Sequence, residues 1–230
     1  MTNIFSRRTA PDGYPIPPEK LRYLVSGERN NSRESFFAMG KHCAAQIVSA
    51  LTQSGANIRQ FDAILDFGCG CGRTIRHFHY FRPGTLYATD YNPKLTRWCA
   101  GNLPFARFDT NELEPPLRYS TEAFDLVYAF SVFTHLPEPL QLQWARELWR
   151  VIKPGGFLAI SIIPLRDLPK EKQTGKLVVR NASQPGTNAC MAYHAPGYVT
   201  DMLGKGFDLA QFVESRPGQD FYLFRKSASS

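Results

Sequence analysis

The chain has 230 residues, a net charge of +7, 43% apolar residues and 20% charged residues. This is the composition of an ordinary soluble globular protein, large enough for one α/β domain, so disorder is not the default for its body. The charge excess divides as +4 over residues 1–60, zero over 61–163 and +3 over 164–230, a scattered surplus without a dense basic cluster among aromatics, so no nucleic-acid partner is expected.

No run approaches eighteen consecutive apolar residues, so neither a membrane-spanning helix nor a membrane partner is expected. Two arginines near the N-terminus have no apolar stretch behind them, which argues against a secretory signal. Five cysteines in a chain that needs no staples fit a reducing cytoplasm, the expected location.

Residues 1–18, with four prolines and a glycine, read as an extended arm. Residues 33–54 place Phe36, Phe37, Cys43, Ala44, Ile47, Val48 and Leu51 at helical spacing. Ser32 or Asn31 caps the start of this helix and Gly55 its end. From residue 61 a regular alternation begins. FDAILDF is a buried strand, GRTIRHFHYF a helix, TLYATD a second strand, and PKLTRWCAG a short helix opened by Pro93. PFARFD and FDLVYAF follow as strands. EPLQLQWARELWRVI is a helix with Leu140, Trp144, Leu148, Val151 and Ile152 on one face, and FLAISII is a fifth strand. Residues 164–194 are polar, contain Gly and Pro and are long for a connection, which favours a functional loop. PGYVTDMLGKG then makes a helix, and FDLAQFVES and QDFYLFRK make two strands whose short link forces them antiparallel. The expected fold is α/β: a doubly wound, mostly parallel seven-stranded sheet with an antiparallel last strand.

The stretch ILDFGCGCGRT, residues 64–74, is a strand, a glycine loop and the start of a helix. Gly68, Gly70 and Gly72 permit positive φ and let a ligand approach the backbone. The next strand ends in Asp90, the acidic position that hydrogen-bonds ribose hydroxyls in such sheets. A dinucleotide fingerprint would read G-x-G-x-x-G with a pyrophosphate over the helix terminus. Here the loop is preceded by Asp66, which would repel a pyrophosphate and suits the cationic amino group of a methionine moiety. That favours S-adenosylmethionine over a dinucleotide.

ILDFGCGCGR, ATDYNP, FDLVYAFSVFTHL and ELWRVIKPGGFLAIS resemble, in order and spacing, the successive motifs of the class I S-adenosylmethionine-dependent methyltransferases (Rossmann-like methyltransferase fold) across residues 61–163. AYHAPGYV and QDFYLFRK resemble the end of one bacterial subgroup of small, single-domain members. The resemblance implies that Asp66 lies near the ligand's amino group and that the backbone of Gly68, Cys69, Gly70 and Gly72 cradles its methionine portion. Asp90, with Tyr91 beside it, would take the ribose. Asp109 or Asn111, with Glu112 beside it, would face the adenine amino group, and the spacing to Phe124-Asp125 leans towards Asn111. Phe130 and Ser131 would line the methionine side. The product would be S-adenosylhomocysteine, and no metal is expected.

Competing readings concern the same residues. Cys69 and Cys71 with His77 and His79 form a conceivable metal set, but C-x-C in a glycine turn lacks knuckle spacing and the two histidines point to different helix faces. Small side chains filling a tight turn are the favoured reading. Asp125 reads as structural. Arg73 either orients a carboxylate or pairs on the helix surface, and Tyr14, Tyr23, Phe36 and Phe37 are either a lid or ordinary packing. His135, in SVFTHLPEP after the fourth strand, is balanced between a structural hydrogen bond and a general base. Tyr193 and His194, after the long loop, are the other catalytic candidates.

The Asn/Asp-Pro-Pro-aromatic box of nucleic-acid amine methyltransferases is replaced here by AFSVFTHL. The expected reaction is therefore methylation of an O or N nucleophile on a small molecule, natural-product or sugar-like. A macromolecular (RNA or protein) acceptor and a non-catalytic ligand-binding role are the alternatives. The expected organisation is an N-terminal arm and helical cap over the active site (1–55) and a methyltransferase domain (56–230) with a substrate-side loop at 164–194. The oligomeric state is not legible.

Overall fold

The computed structural model describes residues 10–27, 32–81 and 84–227. The chain forms two compact units, Met1–Asn111 and Glu112–Ser230. The described part of residues 1–55 belongs to the first unit.

In the first unit, β1 (Ala63–Phe67), β2 (Thr85–Asp90) and β3 (Ala106–Thr110) pair in parallel in the order β3-β2-β1. Three helices accompany them: α1 (Glu19–Ser26), α2 (Arg33–Gln53) and α3 (Pro93–Asn102). Ser32 caps α2, its Oγ accepting from the Ser35 N–H at 3.0 Å; Asn31, the alternative cap, lies outside the described residues. Asn92 caps α3 in the same way, accepting from Lys94 at 3.1 Å, and Pro93 occupies the first turn, where a missing N–H loses nothing.

Two local features differ from expectation. Helix α1 follows Pro17 and Pro18 without a side-chain cap, so no start signal marks it in the sequence. The helix expected over 72–81 is a tight three-residue-per-turn helix over Ile75–Phe81. Its aromatic-rich stretch has weak α-propensity, and the His79 ring sits 2.5 Å from the Arg76 carbonyl.

The N-terminal arm is fastened here. Arg76 donates through Nε and Nη2 to both oxygens of Asp12, at 2.6 and 2.9 Å, with both side chains wholly buried. Phe36, Cys71, Leu95, Cys99 and Leu103 form a core against which Tyr14, Leu21 and Val25 pack. Phe36 and Tyr14 are thus packing residues, whereas Tyr23 is exposed.

In the second unit, β4 (Phe124–Ala129) and β5 (Ile152–Pro164) are parallel. β9 (Asp220–Lys226) runs antiparallel to β5, and β8 (Phe207–Val213) antiparallel to β9. The amphipathic helix α4 (Glu138–Val151) lies between β4 and β5 in the chain, and Lys226 donates to the Trp149 and Ile152 carbonyls at its end, at 3.0 and 2.8 Å. A lysine at a helix C-terminus satisfies carbonyls that have no partner within the helix.

The connection 164–194 carries a hairpin of its own, β6 (Leu177–Arg180) and β7 (Met191–His194). β7 also pairs in parallel with Ile163 and Pro164 at the end of β5. The described residues therefore hold nine strands, where seven were expected. The two additional strands are four residues long each, too short for their alternation to show among polar neighbours. Beyond them, the helix over 196–206 is one α-turn, α5 (Pro196–Tyr198), continued by a wide π-turn over Val199–Leu203. The fold class is as expected: α/β, mostly parallel, with antiparallel last strands. No helix among the described residues is long and apolar enough to cross a membrane.

Candidate functional site

The first unit builds a loop and a carboxylate that depend on each other. The chain leaves β1 through Gly68, Gly70 and Gly72, whose φ angles are 75°, 56° and 78°. This left-handed backbone is strained for any residue with a Cβ. The Thr89 carbonyl accepts from the N–H groups of Gly68 and Cys69, at 2.8 and 3.0 Å, tying the loop to β2. Asp90 extends the tie: Oδ2 accepts from the Gly70 N–H at 2.9 Å and Oδ1 from the Asn92 N–H at 2.8 Å. A carboxylate offers about four lone-pair sites, so each oxygen keeps an acceptor for the two hydroxyls of a ribose. Burial pushes the Asp90 carboxyl up and the two amide bonds pull it back. This acceptor pair beside an open-backbone loop fits an adenosyl sugar.

Asp66 is buried on β1 opposite Ala88. Tyr91 is exposed beside Asp90. On β3, Asp109 accepts from the Thr110 N–H at 2.8 Å. Asn111 is held more firmly: its N–H reaches the Asp90 carbonyl at 3.2 Å and its Oδ1 accepts from the Thr89 hydroxyl at 2.7 Å. Arg73 donates to the Ser26 hydroxyl at 3.3 Å, and so serves as a tie to α1.

The loop cysteines fill space. Cys69 and Cys71 are buried, and the thiols of Cys69 and Cys99 both point to the Gly70 carbonyl, at 3.5 and 3.6 Å. Hydrogen bonding with Cys99 and burial hold the Cys69 thiol protonated; burial does the same for Cys71. Metals take thiolates. Among the described residues no group of three or more His, Cys, Asp or Glu side chains is placed to hold a metal ion. His77 packs edge-on to Phe37 at 4.6 Å, and burial drives its pKa down to about 4.

The second unit carries the remaining candidates. Glu112 is exposed. Phe130 stacks on Phe221 at 5.7 Å. Ser131 follows β4 with a φ of 58°, a conformation non-glycine residues seldom hold. It is fixed by its N–H to Ser161 Oγ at 2.9 Å and its hydroxyl to Gln219 Oε1 at 3.0 Å. Asp125 pairs with Lys153 at 2.8 Å, the structural part expected of it.

His135 lies in a short tight turn, Phe133–His135. Its Nδ1 is 2.8 Å from the Cys190 carbonyl. A carbonyl only accepts, so Nδ1 carries the proton and Nε2 keeps its lone pair. Burial lowers the pKa of this ring, against a smaller upward pull from the Cys190 bond.

The structure separates the other two catalytic candidates. Tyr193 and His194 are successive residues of β7, so their side chains project to opposite faces and cannot share one site. Tyr193 packs under the Arg180 guanidinium at 5.4 Å and donates to the Met191 sulfur at 3.8 Å. His194 is completely buried, its Nε2 3.0 Å from Gln141 Oε1, and burial drives its pKa down to about 4.

Gln141 was not a sequence candidate. Its signal was a polar residue on the same buried helix stripe as Ala145 and Leu148. The Asp12–Arg76 pair carried no such signal, since its members are 64 residues apart.

A strand-loop-helix entry into a parallel sheet, with an acidic residue closing the next strand, is the arrangement in which α/β sheets present a ligand crevice at the carboxyl ends of their strands. The Methyltransferase domain family model matches residues 65–160. The chain is 25% identical over 163 residues to the malonyl-[acyl-carrier protein] O-methyltransferase of Salmonella typhimurium, covering 68% of this chain and 59% of that protein. It is 28% identical over 106 residues to the trans-aconitate 2-methyltransferase of Deinococcus radiodurans, covering 45% and 39%. It thus spans less than two thirds of the length of these curated relatives. A crystal structure of a Pyrococcus horikoshii protein has the same fold, with a TM-score of 0.67 at 14% identity over 92% of this chain and all of that one (100%). Residues 65–160 thus match a methyltransferase domain, and the chain shares its fold with solved structures of S-adenosylmethionine-dependent methyltransferases.

Proposed function

We propose that the protein transfers a methyl group from S-adenosylmethionine to an oxygen or nitrogen nucleophile of a small molecule, leaving S-adenosylhomocysteine. The observation that carries this reading is the bond between Asp90 and the Gly70 N–H, because it makes one carboxylate both the organiser of the glycine loop and the acceptor for a ribose. In this reading Asp66 faces the amino group of the methionine portion, Gly68 to Gly72 pass along it, and Asn111 faces the adenine. Phe130 and Ser131 line the methionine side, and Tyr91, Asp109 and Glu112 are peripheral to it. The described part of the arm and helical cap closes over the loop; the contact that supports this is Val25, whose Cγ2 would lie 2.7 Å from a Cβ added at Gly70.

When bound, the cofactor supplies an electrophilic methyl group on a sulfonium. The chain's own work is alignment and exclusion of water, which is worth roughly 7–11 kcal/mol in well-oriented systems. His135 removes the acceptor's proton: the Cys190 carbonyl fixes the Nδ1–H form, Nε2 is the base, and burial keeps the ring neutral at pH 7. A base is needed for a hydroxyl or a protonated nitrogen and not for a carboxylate that is already ionised. Of the two curated relatives, the trans-aconitate 2-methyltransferase supports a free small acceptor by its name, whereas the other is named for a malonyl group borne by an acyl-carrier protein.

The test is calorimetry with S-adenosylmethionine and S-adenosylhomocysteine, followed by transfer of a labelled methyl group into fractionated host metabolites. Cofactor binding and a labelled small molecule are expected, with labelling lost in His135→Ala. Tighter binding of NADH than of S-adenosylhomocysteine would overturn the cofactor assignment. Label appearing only in protein or RNA would overturn the acceptor class.

A further inference from the structure

We propose that Gln141 and His194 are positioning residues that hold the His135 turn through a buried hydrogen-bond relay. This rests on the reading of His135 as the base. Gln141 Nε2 donates to the Phe133 carbonyl at 3.1 Å and to the Leu136 carbonyl at 2.8 Å. These carbonyls belong to residues on either side of His135 in the turn. Since both only accept, the orientation of the Gln141 amide is determined and its Oε1 must be met by a donor. The group 3.0 Å away is His194 Nε2, which must therefore carry the proton.

His135 and His194 are thus opposite tautomers, Nδ1–H and Nε2–H respectively. Gln141 and His194 are both completely buried, so solvent cannot replace either bond, and a buried amide left half-satisfied is costly.

One further stretch of chain reaches the turn at several points. The Gly186 N–H donates to the His135 carbonyl at 2.8 Å, the Cys190 carbonyl holds the ring at 2.8 Å, and His194 braces the turn through Gln141. The 186–194 segment therefore grips His135 at its carbonyl, its ring and the peptides around it. That is the supporting shell a proton-transfer group requires, because errors of about 1 Å in such a group cost on the order of 100-fold in rate. Sequence reading took His194 for a group that meets substrate. Its burial and its bond assign it instead to the group that does.

The tautomers give a readout independent of any acceptor. Long-range proton–nitrogen correlation spectra of the full chain at neutral pH should show His135, assigned by its disappearance in His135→Ala, as Nδ1–H and His194 as Nε2–H. Gln141→Met keeps the volume and removes the donors. It should release His135 into a mixture weighted towards the Nε2–H form a free imidazole prefers. Labelled-methyl transfer into a host metabolite extract should fall roughly 100-fold, with S-adenosylhomocysteine affinity unchanged. His194→Gln, which keeps a donor towards Gln141, should retain the His135 tautomer, and His194→Phe should lose it.

An unaltered His135 spectrum and turnover in Gln141→Met, or in His194→Phe should Gln141→Met fail to fold, overturns the relay. So does an Nδ1–H form for His194. Full turnover in His135→Ala overturns the base and leaves the relay to be judged by the spectra.

Discussion

In the proposed reading Asp90 has two roles at one carboxylate, and a single substitution tests both. Asp90→Ala removes the ribose acceptor and also frees the Gly70 N–H. Cofactor affinity in calorimetry should fall by about 1–3 kcal/mol through lost hydrogen bonds; unchanged affinity would contradict the placement. This residue was legible in the sequence because strand, loop and strand lengths alone put it at the end of β2 beside the loop. Asp66, Gly68, Gly70 and Gly72 were legible for the same reason. Tyr193 and His194 were not, since a two-residue alternation decides which face each takes and the strand that imposes it was hidden in a polar connection. Gln141 was missed because a glutamine on a helix is most often a surface residue.

At the scale of elements, a buried ion pair fastens the described part of the N-terminal arm. Arg76 is wholly buried, bonded to Asp12, near the Tyr14 and Pro15 carbonyls at 3.4 and 3.3 Å, and 5.6 Å from the Phe37 ring centre. Asp12→Ala leaves that charge uncompensated and should cost about 3–5 kcal/mol in urea unfolding. The double change Asp12→Leu with Arg76→Met should recover most of the loss, because two apolar groups leave no stranded charge. A double variant as unstable as the single one would show that the pair does more than neutralise itself. The helices and long strands were legible from periodicity. The tight turn over Ile75–Phe81 and helix α1 were not, since side-chain competition and tertiary packing override propensity in short segments.

For the whole molecule, acid sensitivity follows from two buried imidazoles. His77 and His194 are each driven from 6.5 to about 4 by burial, with the Arg76 charge adding to the shift of His77. Between those values the unfolded chain binds protons that the folded one does not. Stability is therefore undiminished above pH 6.5 and falls as pH drops towards 4, by up to about 1.4 kcal/mol per unit for each group. Urea midpoints at pH 7, 6 and 5 should decline with a steepening slope, and a flat profile would contradict the neutral burial of both rings.

All five cysteines, Cys43, Cys69, Cys71, Cys99 and Cys190, are free and buried, and three of them surround Gly70. A maleimide or aromatic disulfide reagent therefore meets no accessible sulfur until the chain opens. Its labelling rate becomes a clock for breathing of the nucleoside cradle, readable by mass spectrometry before any substrate is in hand.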